Sequence, residues 1–362
     1  MEARRPVEQA VRHAAVVLLA AVVLAACGGD ATSRGAPTDD ARVDLTGGGA
    51  TFPYPVYTRW FSRYLDATGT RINYQAIGSG AGVRQLVAGT LDFAATDVPL
   101  DTAERRALAA RGVRQVPMVV GGVAVTYNLP GVTTALRLDG TTLADILLGR
   151  ITRWNDPRLV ALNPELALPA KDLLVVYRAD ASGTTYIVTD YLARTSTDWA
   201  AGPGRGKAID WPVGLGQRGN EGVAGQVKTT PYTLGLVEAV YALQNRLPAA
   251  RLRNHAGAWV TPATGNLRAA AEAMLGSIDD TVEFATSIAD APGAESYPIA
   301  SLSWLVVPRS GRDTAHVAGV HRFVRWALQN GDNDAFALGY APVPAAMRRH
   351  ALAALDSAPA PP

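Results

Sequence analysis

The chain has 362 residues, 48% of them hydrophobic and 18% charged. That is too long for one hydrophobic core and too apolar for a disordered chain, so two lobes of roughly 150 residues each are expected. The formal net charge of +2 supplies no field that would recruit nucleic acid, and the single cysteine, Cys27, excludes an intramolecular disulfide framework and a thiolate metal cluster.

Residues 1–26 do not read as part of the fold. Arg4, Arg5, Arg12 and His13 make a basic start, and Ala14 to Ala26 is an unbroken apolar run of 13 residues. A mature membrane-spanning helix needs about 20. A basic start, a short apolar run and small residues at its end form a secretory signal. The end, Leu24-Ala25-Ala26-Cys27-Gly28, resembles a bacterial lipobox, which makes Cys27 the expected lipidation site. Residues 27–43 are rich in Gly, Ser, Thr, Pro and Asp and read as a flexible tether. The Pro- and Ala-rich end, 356–362, reads as a disordered tail.

Between these segments short apolar runs alternate with amphipathic stretches. Phe52 to Leu65 places Val56, Trp60, Phe61 and Tyr64 at helical spacing. Arg71 to Ile77 reads as a strand, Val83 to Ala88 as a helix, and Phe93 to Thr96 as a short strand. The long run Val116 to Tyr127 suggests a buried strand. Leu173 to Tyr177 is a strand and Thr184 to Ala193 a helix. Leu267 to Leu275 and Thr281 to Ala289 read as helices, Ile299 to Val307 as a strand, and His316 to Gln329 as a helix. This alternation predicts an α/β fold with mostly parallel sheets.

Three segments share one design, a glycine- and hydroxyl-rich turn that follows an apolar run and opens a helix. They are Gly47-Gly48-Gly49-Ala50-Thr51-Phe52-Pro53, Gly78-Ser79-Gly80-Ala81-Gly82 and Arg178-Ala179-Asp180-Ala181-Ser182-Gly183-Thr184-Thr185. A helix start leaves N–H groups unpaired and carries partial positive charge, and small residues let an anion approach the backbone. One such segment is an ordinary cap or turn. Three of them beside an arginine and an apolar-flanked aspartate are more specific.

These segments resemble the phosphate-binding proteins of Pst-type ABC transporters. The resemblance rests on Gly49 to Tyr57 (GATFPYPVY), Asn73 to Ser79 (NYQAIGS), Asp92 to Asp97 (DFAATD) and Arg178 to Thr184 (RADASGT). Two further stretches, Trp211 to Gly216 and Gly219 to Gly225, also match, so the likeness runs from about Gly47 to about Tyr340. It implies a two-lobed periplasmic-binding-protein-like fold of type II, with two hinge crossings and a ligand cleft between the lobes. Residues 44–125 and 300–355 would form the first lobe and 126–299 the second, with Val123–Tyr127 and Ile299–Ser303 as the hinge strands. It also implies that inorganic phosphate is held by Thr51, Phe52, Ser79, Asp97, Arg178, Ser182, Gly183 and Thr184, with no catalytic residue, metal or cofactor. The chain would be a monomer, lipid-anchored on the outer side of the cytoplasmic membrane, partnered by the permease subunits of an ABC phosphate importer. Gly80 stands where many relatives have a second serine, and Tyr177 where some carry a second arginine.

The chemistry of these residues fits that expectation on its own terms. Arg178 can make a bidentate charged contact, and helix starts add dipoles without a further full charge. A carboxylate such as Asp97 accepts a proton-bearing phosphate oxygen and repels a fully ionised anion, so it selects against sulfate. Asp180 is expected to orient Arg178 or cap the helix. Two alternatives stay open at this point, a receptor for another oxyanion such as sulfate and an enzyme acting on phosphate esters. Against the enzyme, there is no Gly-Lys-Ser/Thr phosphate loop, no Gly-x-Ser-x-Gly elbow and no His pair at zinc-protease spacing.

Overall fold

A long apolar run can only be satisfied by burial on both faces, and the two longest of the described strands meet that condition. In the computed structural model, β4 in the numbering used here runs Arg114–Asn128 and is buried everywhere except its two end residues. Strand β11, Ala300–Val307, is buried along its whole length. The structure describes residues 43–275, 286–310 and 313–356. The expected signal, Cys27, nearly all of the tether and the tail after Asp356 lie outside them. So does most of the helix expected over 281–289, and its described end, Thr286–Ala289, is not helical.

The other strands are β1 (Leu45–Gly49), β2 (Ile72–Ala76), β3 (Phe93–Thr96), β5 (Arg137–Leu138), β6 (Leu174–Arg178), β7 (Leu215–Gln217), β8 (Thr233–Glu238), β9 (Arg251–Arg253), β10 (Trp259–Val260) and β12 (Ala341–Pro342). The main sheet has the order β2-β1-β3-β11-β4-β8-β6-β7, with β12 also paired to β4, and β10-β9-β5 form a small second sheet. The expectation of mostly parallel sheets is corrected. The flanks β2-β1-β3 and β8-β6-β7 are parallel, but β3-β11, β11-β4, β4-β12 and β4-β8 are antiparallel. The flanks are strand–helix–strand units, which require parallel strands. The centre is made by chain passing between the flanks, out along β4 and back along β11. A buried apolar run reads the same in either direction, so the sequence pattern does not distinguish the two cases.

The passage shows in the register. Residues Arg114–Gly122 of β4 pair with β11, and Val123–Asn128 pair with β8. At the change of partner, Val123 N–H donates to Ile299 O at 2.9 Å and Tyr297 Oη donates to Val123 O at 2.8 Å.

The helix Tyr54–Thr68 buries Val56, Tyr57, Trp60, Phe61 and Tyr64 along one side, as the 3.6-residue spacing requires, and stops at Gly69 with φ 74°. Its aromatic face meets Phe323 of the helix Thr314–Asn330, with Phe61 at 5.2 Å and Tyr64 at 5.3 Å between ring centroids. Trp60, Trp154, Trp199 and Trp304 are buried in the core. Trp211 stacks on Tyr177 at 4.9 Å. Among the described residues no helix is long and apolar enough to cross a membrane.

Candidate anion site

The carboxyl ends of β1, β2, β3 and β6 meet at one place. In open α/β sheets that is where ligands bind, because each strand end there feeds the start of a helix. β1 leads through Ala50–Pro53 into the helix at Tyr54, and β2 through Ile77 and Gly78 into the helix Ser79–Val87. β6 leads through Ala179–Ser182 into the helix Gly183–Thr195, and β3 ends one residue before Asp97. Glycine makes the convergence possible. A Cβ on Gly49 (φ 133°) would lie 2.2 Å from Ala95 O, and one on Gly82 2.4 Å from Gly49 Cα.

The two flanks of the sheet touch here. Gly80 N–H donates to Ala181 O at 3.2 Å, and Lys207 pairs with Glu104. A Cβ on Gly183 would lie 2.3 Å from Asp97 Oδ2 and 2.8 Å from Ser79 Oγ, so only glycine lets this helix start approach the carboxyl. Ser182 caps the helix, its Oγ accepting from Thr185 N–H at 3.3 Å.

Arg178 is 4% exposed. Its Nε donates to Asp180 Oδ1 at 2.7 Å, its Nη2 pairs with Asp180 Oδ2, and its Nη1 reaches Thr51 Oγ1 at 3.1 Å and Thr184 Oγ1 at 3.5 Å. Burial alone would raise the Asp180 pKa, but the paired Arg178 overcomes it and holds the carboxyl below its ordinary range. Asp180 therefore orients Arg178, as the sequence suggested, while Ser182 supplies the cap. Asn220, buried on the helix Gly219–Thr229, also donates to Thr51 Oγ1, at 3.0 Å, and its own Oδ1 accepts from Glu238 N–H at 3.0 Å. With Arg178 and Asn220 occupying both lone pairs of the Thr51 oxygen, the Thr51 hydroxyl has its hydrogen left to donate.

Asp97 is a second acidic group at this site, besides the Asp180 that pairs with Arg178. Ser303 Oγ donates to its Oδ1 at 2.7 Å and Ser79 Oγ to its Oδ2 at 3.3 Å. Burial lifts its pKa from 3.8 to about 7, against the opposing pull of Ser303, Ser79 and Arg178. A third acid, Glu238, lies just behind. Burial raises its pKa well above the carboxylate range, although Val240 N–H donates to Oε2 at 2.9 Å.

The structure thus brings together Thr51, Phe52, Ser79, Asp97, Arg178, Ser182, Gly183 and Thr184. Sequence reasoning missed Asn220, Glu238, Tyr241, Ser303 and Tyr340 around them. Only Asn220 carried a local signal, its place in the Gly219–Gly225 motif. Among the described histidines, His316 Nδ1 lies 2.9 Å from Asp92 and His321 Nε2 2.9 Å from Pro308 O.

This fold and this ring of donors define a solute-binding protein, and the PBP superfamily domain matches residues 31–330. The phosphate-binding protein PstS of Haemophilus influenzae is 40% identical over 302 residues, covering 83% of this chain and 89% of its own. PstS of Xylella fastidiosa is 39% identical over 318 residues, covering 87% and 86%. The chain belongs to the family of PstS phosphate-binding proteins. Among solved structures, a high affinity periplasmic phosphate-binding protein bound with phosphate superposes with a TM-score of 0.69 at 22% identity, covering 86% of this chain and 93% of its own. A phosphate-binding protein from Stenotrophomonas maltophilia gives 0.62 at 20% identity, covering 86% and 93%. These likenesses establish the two-lobed fold.

Proposed function

We propose that the chain is the receptor of an ABC-type phosphate importer, binding inorganic phosphate outside the cytoplasm and delivering it to the permease subunits. One observation carries the reading. A buried carboxyl, Asp97, faces the first turn of the helix Gly183–Thr195, and unlike Asp180 it has no arginine paired to it among the described residues. A site for a fully ionised anion has no use for it, whereas a phosphate bearing an O–H gives that proton to an acceptor.

The roles follow from the geometry. Arg178 supplies the positive charge, already balanced by Asp180. Thr51, Ser79, Ser182 and Thr184 offer hydroxyls, Phe52 and Gly183 offer backbone N–H groups, and Asp97 accepts. No step of the reading is catalytic. Residues 44–125 with 300–355 act as one lobe and 126–299 as the other, hinged where β4 changes partner from β11 to β8. Cys27 carries the lipid that keeps the receptor at the outer face of the membrane, where a second acyl chain on the new N-terminus makes attachment stable.

The test is equilibrium dialysis of the purified protein against labelled phosphate with unlabelled sulfate or arsenate as competitor. Displacement by arsenate and not by sulfate is expected. Sulfate displacing phosphate at equal concentration would favour the general oxyanion receptor and overturn the phosphate reading.

A further inference from the structure

Three tyrosine hydroxyls end on three successive carbonyls of the loop that carries Thr51 and Phe52. Tyr74 Oη donates to Ala50 O at 2.7 Å, Tyr241 Oη to Thr51 O at 2.6 Å, and Tyr340 Oη to Phe52 O at 2.7 Å. The three donors come from separate parts of the chain, namely β2, the helix Ala239–Gln244 and the residue before β12. The loop itself is neither helix nor strand, so no ladder fixes its peptide planes.

A trans peptide holds the carbonyl of one residue and the N–H of the next in one plane, pointing in opposite directions. Among the described residues no peptide is cis. The bond to Ala50 O therefore sets the direction of Thr51 N–H, and the bond to Thr51 O sets that of Phe52 N–H. Donation to a carbonyl also polarises its peptide and strengthens the N–H on the other side. Phe52 O is different, because Pro53 follows and has no N–H to aim. Tyr340 thus anchors the loop without directing a donor.

We infer that Tyr74 and Tyr241 are positioning residues of the anion site, aiming the N–H groups of Thr51 and Phe52 at the ligand without touching it. This deepens the phosphate reading and rests on it. Burial raises the pKa of all three phenols, so each keeps its proton and remains a donor. The Tyr74 ring is held by stacking on Tyr54 at 5.9 Å and on Phe93 at 6.4 Å. Tyr241 differs in reaching Thr51 from the opposite flank of the sheet. Its hydroxyl also lies 3.1 Å from Glu221 Oε1. The Tyr241 bond to Thr51 O therefore joins the two flanks at the site.

The experiment compares Tyr74→Phe, Tyr241→Phe and Tyr340→Phe in the whole protein, by calorimetry with phosphate and arsenate and by stopped-flow release of phosphate. Tyr74→Phe and Tyr241→Phe should each weaken both anions by about three- to tenfold, the worth of one hydrogen bond, with the phosphate-to-sulfate ratio unchanged. Tyr241→Phe should act mainly through faster release, because its bond joins the two flanks. Tyr340→Phe should lower the melting temperature while changing affinity by less than about twofold, since no N–H lies downstream of its bond. Wild-type affinity in both Tyr74→Phe and Tyr241→Phe, or an equal loss in Tyr340→Phe, would overturn the inference. If either of the first two fails to fold, the other decides. A wild type that binds sulfate in place of phosphate would sink the phosphate reading instead, and loss of sulfate affinity in the same two variants would still support the positioning role.

Discussion

Replacing Asp97 by asparagine should remove a specific part of the pH dependence of stability. Burial lifts the Asp97 pKa from 3.8 to about 7 in the folded protein. In the unfolded chain the group returns to its ordinary value, so between about pH 4 and pH 7 the native state holds a proton that the unfolded state releases. The native state then binds more protons, and stability falls as pH rises through that window. About three pH units at roughly 1.4 kcal/mol each give a contribution of about 4 kcal/mol, fully present below pH ~4 and lost above pH ~7. Asparagine has nearly the same shape and does not titrate. The assay is denaturant unfolding of wild type and Asp97→Asn, both free of phosphate, at pH 4.5 and pH 8. The variant should gain several kcal/mol on the wild type between the two pH values. Parallel stability profiles would refute the claim that Asp97 is desolvated and protonated in the ligand-free fold.

In wild type, phosphate at a hundredfold excess over Kd should stabilise the fold by roughly 2.7 kcal/mol, and Arg178→Ala should abolish most of that, read as the phosphate-dependent shift in melting temperature. An undiminished shift in the variant would remove Arg178 from the site. Gly183→Ala places a Cβ 2.3 Å from Asp97 Oδ2, so it should weaken phosphate binding by at least about tenfold while the separate flanks still fold. Wild-type calorimetry in that variant would show that the close approach has no role in binding. Cys27→Ser should move the protein from the membrane fraction to the soluble fraction or leave it unprocessed, and unchanged partitioning would contradict the lipid anchor.

The parts of the fold that sequence reasoning reached are those set by local periodicity and local turn chemistry. The helix at Tyr54 was legible because Val56, Trp60, Phe61 and Tyr64 fall on one side, and β3 because a short apolar run has sharp polar borders. The three glycine- and hydroxyl-rich turns were legible because such residues cluster where strands end, whereas the individual candidate anion residues came from the family resemblance. The antiparallel centre was not, since β4 and β11 are buried on both faces and their runs carry no mark of direction. The supporting residues were hidden for a different reason. Tyr340 meets Phe52 across 288 positions, Ser303 meets Asp97 across 206 and Tyr241 meets Thr51 across 190. Each is a polar residue within an apolar stretch, where its hydroxyl gives no periodic signal and its partner is fixed only by the tertiary fold.

On the proposed reading this site holds phosphate and Asp97 selects it. The direct measurement is calorimetric titration of phosphate and of sulfate into wild type and Asp97→Asn, at pH 8 and constant ionic strength, where Asp97 is ionised by its pKa of about 7. A carboxylate against a fully ionised anion in a dry cleft costs several kcal/mol, so wild type should favour phosphate over sulfate by ~10³ or more. Asp97→Asn should narrow that ratio sharply by admitting sulfate, because the amide can donate where the carboxylate could only accept. Equal affinities for the two anions in wild type, or a phosphate-to-sulfate ratio untouched by Asp97→Asn, would contradict the account.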